Sequence, residues 1–143
     1  MTPENPSART PTETFLALIR GVSAGPRSEP ADLYADVCDV AHPFDPDRAP
    51  ALRSREELRA HFALPADAPK IERTAVDVRV HETADPEVVV GEFAYDCLLV
   101  DTGVHYRVPC VFIMRVRDGL IVESRDYIDH LAHVRAFANA DRA

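Results

Sequence analysis

The sequence predicts an α+β domain in which a long, curved, mostly antiparallel sheet wraps around helices supplied by the first half of the chain. Three observations predict it. Apolar residues recur at helical spacing near the start, as in Phe15, Leu18, Ile19 and Val22. From Ile71 onward the period switches to two, with Val76, Val78 and Val80 alternating with Asp77, Arg79 and His81. The later strand-like runs are separated by Asp101-Thr102-Gly103 and Asp118-Gly119, the tight turns of a meander.

The elements follow in order. Residues 1–9 hold two prolines and no periodicity and read as a tail or arm, leaving 10–143 as a single domain. Thr10-Pro11-Thr12-Glu13 has capping-box spacing with proline at the first helical position, so a helix starts there and ends at Gly25-Pro26. A short helix is expected over Glu29 to Asp36, burying Leu33 and Tyr34, followed by an extended segment from Val37 to His42. The proline-rich stretch Pro43 to Pro50 reads as an ordered loop. Ser54-Arg55-Glu56-Glu57 opens another helix, which buries Leu58 and Phe62 and closes at Leu64-Pro65.

After the strand that starts at Ile71, three more are expected: Glu87 to Val100, His105 to Arg117 and Leu120 to Ile128. In the second of these, His105, Arg107, Arg115 and Arg117 share one face, which turns Tyr106, Val108, Cys110, Phe112, Met114 and Val116 inward. On the preceding strand a slip of one residue would exchange the faces of Glu92 and Tyr95, and alternation leaves both assignments open. Asp129 caps a last helix, with Leu131 and Val134 expected toward the core.

Composition narrows the function. The chain has 143 residues, 46% hydrophobic, enough for one core with room for a cavity. A net charge of -8 disfavours nucleic acid as partner, since such binders carry basic faces. No apolar run reaches the roughly 18 residues a membrane span needs, and the polar, proline-rich start is unlike a signal peptide, so a cytoplasmic protein is expected. Cys38, Cys97 and Cys110 have unrelated spacings and read as buried small residues. His130 and His133 lack a third ligand at suitable spacing and read as a solvated helix face; neither metal nor cofactor is expected.

The order of these elements, with Leu33-Tyr34-Ala35-Asp36 before a short strand, Val40-Ala41-His42-Pro43 at its end and Arg125-Asp126-Tyr127-Ile128-Asp129 closing the sheet, resembles the nuclear transport factor 2-like superfamily. More narrowly it is similar to the SnoaL-like branch, with its polyketide cyclases, ketosteroid isomerase relatives and limonene-epoxide-hydrolase-like enzymes. The resemblance covers roughly residues 12–138 and implies a cone-shaped barrel enclosing a pocket. It also implies a catalytic carboxylate at Asp126, which matches the first aspartate of the closing Arg-Asp-Tyr motif of the epoxide hydrolases. The Arg-x-Asp that those enzymes carry on the strand matching Val90 to Asp96 is missing here. Where ketosteroid isomerases place a base aspartate before a proline, this chain has His42 before Pro43. The position of their oxyanion-hole tyrosine holds Phe15.

Asp126 is the first candidate, because a carboxylate turned into an apolar barrel is desolvated and can exchange protons near neutral pH. His42 is its candidate partner as acid or base. Tyr34, Tyr95 and Tyr106 could orient an oxygen of the substrate, and Phe15, Phe62 and Phe112 could form an apolar wall. The expected ligand is a small apolar metabolite, and the expected chemistry is cofactor-independent cyclisation, isomerisation or epoxide opening. The alternative is a non-catalytic binding or assembly module of the same fold. Val111 and Ile113, on the outer sheet face with Arg125 and Tyr127, argue for a homodimer through that face.

Overall fold

The computed structural model describes residues 8–140, so the expected tail falls almost wholly outside the described residues. Helix α1 (Pro11–Ala24) starts as its spacing dictates: the Thr10 side chain accepts from the Glu13 amide, and the Glu13 carboxylate accepts in turn from the Thr10 amide. Strand β1 (Tyr34–Ala41), strand β2 (Leu52–Ser54) and helix α2 (Arg55–Phe62) follow. Then come β3 (Ile71–Glu82), β4 (Val88–Leu99), β5 (Val104–Arg117), β6 (Leu120–Ile128) and helix α3 (His130–Ala140).

The six strands form one unclosed sheet in the order β2-β1-β6-β5-β4-β3. Strands β3 to β6 pair antiparallel in sequence order, whereas β1 joins β6 in parallel. The β5–β6 turn has positive φ at both Asp118 and Gly119, the backbone that a two-residue hairpin of this type requires. Helix α1 lies in the hollow of the sheet, where Phe15 meets Phe93 and Phe112 edge to face. Gly91 makes room for it: a Cβ at that position would overlap the Phe15 ring.

Four expectations are corrected. Glu29 to Asp36 is not an α-helix; only a 3-10 turn forms (Pro30–Leu33), and Tyr34 is drawn into β1 by pairing with Ile121. The three-residue edge strand β2 lies outside any predicted element, being too short to show a period. On β3, Val76 pairs with Ala94 but Arg79 with Glu92, so one extra residue is inserted around Asp77, which takes positive φ. This bulge breaks the alternation that would have turned Val78 inward. Val78 is exposed; Val80 packs on the core as its period implies, and before the bulge Ala75 does so in place of Val76. Helix α3 buries the small Ala136 and packs Ala132 on the core, leaving Leu131 and Val134 about half exposed at 51% and 53%.

Candidate active site

The parallel seam between β1 and β6 positions the polar centre. Val40 pairs with Ser124 and Ala41 with Arg125, so His42, one step beyond β1, comes level with Asp126. Alternation turns Val40, Ser124 and Asp126 inward, while Glu123 and Arg125 face out. The Ser124 hydroxyl donates to Asp126 Oδ1 at 2.5 Å, and His42 Nε2 lies 3.6 Å from Oδ2. No arginine covers this carboxyl among the described residues; the titratable side chain within ion-pair range is His42.

An ordinary ion pair would lower the acid and raise the imidazole. Here burial dominates and moves both the other way. It pushes the Asp126 carboxyl up to about 7, with the Ser124 hydroxyl offsetting part of the rise. Burial, and then the neighbouring His61 and His130, pull the His42 imidazole down to about 4 against the opposing Asp45 carboxylate. Between these values the proton resides on the carboxyl beside an unprotonated ring. The arrangement can deliver a proton or, once Asp126 ionises, take one.

Both residues line a cavity of about 330 Å³ between α1, α2 and the concave face of the sheet. Tyr34, Phe62, Tyr95 and Phe112 line it too. Tyr95 therefore faces inward, while Glu92 faces out and meets His81 at 2.7 Å. Burial first, then the Asp126 charge, raises the Tyr34 hydroxyl far above its usual range, and burial raises that of Tyr95, so both remain hydrogen donors. Phe15 is corrected: it is fully buried against Gly91, Phe93 and Phe112 and lies outside the cavity lining. Tyr106 is corrected as well, since it stands behind the lining with its hydroxyl 3.0 Å from Nδ1 of His133.

Three lining residues and one supporting residue were not picked out by sequence reasoning. His61 faces His42 with ring centroids 5.5 Å apart. Its signal was helical spacing, since 58, 61 and 62 share one face of α2. His133 lines the cavity, so the expected solvated face of α3 is in part an inward one. His130 likewise keeps a buried Nε2 with no hydrogen-bond partner. Arg73 projects inward because the β3 bulge lies beyond it and sets Ile71, Arg73 and Ala75 on the concave side. Ser124 was legible from its parity with Asp126. No group of three or more His, Cys, Asp or Glu residues suited to a metal occurs among the described residues. No described helix is long and apolar enough to cross a membrane.

Comparison with known proteins bears on the family and the fold. Residues 15–124 match the sequence profile of the SnoaL-like domain. A PhzA/B-like protein of Pseudomonas aeruginosa, itself uncharacterized, is 30% identical over 114 residues, 74% of this chain and 79% of that protein. The crystal structure of a candidate isomerase from Bacillus subtilis superposes with a TM-score of 0.77 at 24% identity, covering 89% of this chain and 91% of the other. A candidate polyketide cyclase from Pseudomonas putida superposes with a TM-score of 0.69 at 16% identity, covering 90% and 98%. At these identities the two structures show a shared fold.

Proposed function

This chain belongs to the SnoaL-like family of the nuclear transport factor 2-like superfamily, and from that premise we propose that it binds a small apolar metabolite in the cone and moves a proton on it without a cofactor. Asp126 is the acid/base group and His42 its proton-accepting neighbour. The observation that carries this reading is a carboxyl 5% exposed, facing a cavity, with no arginine or lysine within ion-pair range among the described residues. Burying such a group costs stability, and a neutral serine on one oxygen does not remove that cost. Proton transfer of the isomerase or cyclase type uses this property directly, because a carboxyl that titrates near 7 is present in both forms at neutral pH.

The test is deuterium incorporation from D2O next to the carbonyl of a panel of apolar ketones and enones, followed by mass spectrometry. Wild type is expected to exchange, with a rate that rises as pH passes through about 7 because the base form of Asp126 is populated above that value. Asp126→Asn, folded as judged by circular dichroism, should lose about 100-fold or more. Ligand binding with no exchange in either protein would favour the non-catalytic binding module.

We also propose that a second copy of this chain covers the outer sheet face. The hollow there is bordered by Phe44, Val111, Tyr127, Leu131 and Val134, and Phe44 is 67% exposed. An apolar patch of this kind, framed by the pairs Arg107–Asp77 and His81–Glu92, is self-complementary in chemistry and suits a two-fold contact.

A further inference from the structure

Among the described residues, Arg73 is the one side chain lining the cavity that carries a permanent positive charge. It comes from β3, on the rung Arg73–Cys97–Tyr106, whereas Asp126 belongs to the rung Gly91–Phe112–Asp126. Tyr95, Val108, Phe112 and Ile128 line the cavity along with them, so it carries polar groups from two parts of the sheet on a largely apolar lining. Most other arginines of the sheet are paired, as Arg107 is with Asp77, Arg115 with Asp85 and Glu87, and Arg117 with Glu87; Arg79, also without a carboxylate partner among the described residues, borders the outer hollow instead of the cavity. Arg73 has no carboxylate within ion-pair distance among the described residues.

Cys97, Tyr106 and His133, on which the charge of Arg73 acts, are neutral, although the Asp96 carboxylate also acts on Cys97 and that of Asp129 on His133. Burial raises the thiol of Cys97 and carries the Tyr106 hydroxyl up to about 12, and in both cases the Arg73 charge offsets part of the rise. Burial, and then that same charge, holds His133 below its usual value. The Tyr106 hydroxyl lies 3.0 Å from Nδ1 of His133; in the tautomer in which Nδ1 accepts this bond, Nε2 carries the hydrogen and supplies a second donor. A guanidinium fork half-withdrawn from water, without an anion, in a protein of net charge -8, is a pre-formed receptor for a planar anion.

We propose that the ligand of this cavity carries a carboxylate, which docks on Arg73 and His133 and directs the apolar remainder of the molecule toward Asp126 and His42. This rests on the cavity being the ligand site, and it adds the substrate class: an apolar carboxylic acid, in place of a wholly neutral metabolite. Arg73 then fixes which carbon of the ligand lies beside the acid/base pair, a positioning role that bidentate recognition serves well.

The experiment uses three probes on the full chain. N-phenyl-1-naphthylamine, uncharged and fluorescent in apolar surroundings, reports the cavity; naphthalene-2-carboxylate and its neutral isostere naphthalene-2-carboxamide are titrated as competitors. The carboxylate is expected to bind about tenfold or more tightly than the amide. Arg73→Gln should abolish that preference while leaving naphthylamine binding intact, and Arg73→Lys should restore part of it. Equal affinities in wild type, a carboxylate that fails to compete, or a preference that survives in Arg73→Gln would each overturn the proposal. Failure of the naphthylamine itself to bind would instead overturn the cavity reading, so the two failures are told apart.

Discussion

At Asp126 the burial that makes the carboxyl a proton donor also makes it a liability above neutral pH. Its folded pKa of about 7 exceeds the ordinary 3.8, so the folded state holds the extra proton between these values and stability falls as pH rises through them. His42 has the opposite sign. Its pKa is lowered from 6.5 to about 4, so stability falls as pH drops through that interval. The two slopes oppose each other over nearly the same range, and wild-type thermal stability is expected to be nearly flat there. Asp126→Asn removes one of them. The variant should be more stable than wild type above about pH 7.5, by on the order of a few kcal/mol, and should lose stability steadily on acidification below 6.5. Thermal denaturation across that range measures both effects.

Among the elements, the contact between α1 and β4 hinges on a missing side chain. Gly91→Ala would drive a methyl into the Phe15 ring and should destabilise the fold by about 1–3 kcal/mol, as overpacking does. Shortening the ring in a Phe15→Leu, Gly91→Ala double variant should recover part of that loss, which denaturant titration of the four proteins in a cycle would resolve. This contact also shows where the sequence was readable. Capping boxes, Asp-Gly turns and the two periods located α1, α2, α3 and β3 to β6, because each is a local signal. The inward parity of Phe112 followed from alternation, whereas that of Asp126 came from the resemblance carried by the closing Arg-Asp-Tyr motif. The bulge at Asp77 was invisible, since an inserted residue has no signature until the partner strand is known, and with it went the orientation of Val78. Helix α3 was turned the wrong way for a related reason: close packing on the sheet selected Ala132 and Ala136 over the larger Leu131 and Val134. Phe15 could be placed in the core from its spacing, but whether it walls a cavity depends on Gly91 opposite it.

For the molecule as a whole, the outer face predicts association. Val111→Glu, or Leu131→Glu at the rim of the same hollow, should convert a dimer to a monomer in light scattering after gel filtration, without changing the circular dichroism spectrum. A wild-type protein that is monomeric at micromolar concentration would remove that proposal and leave the cavity untouched.

The single parallel pairing in this sheet has a temporal consequence. A growing polypeptide exposes His42 early and Asp126 late, and the hairpins β3 to β6 can zip together by local contacts before the early strand finds its slot. The proposed proton transfer would therefore become possible only with the last stitch, when β1 docks along β6. A one-residue misalignment there would turn the imidazole away from the acid while leaving the rest of the architecture standing. Turnover, more than secondary-structure content, would then report whether the whole chain has finished folding.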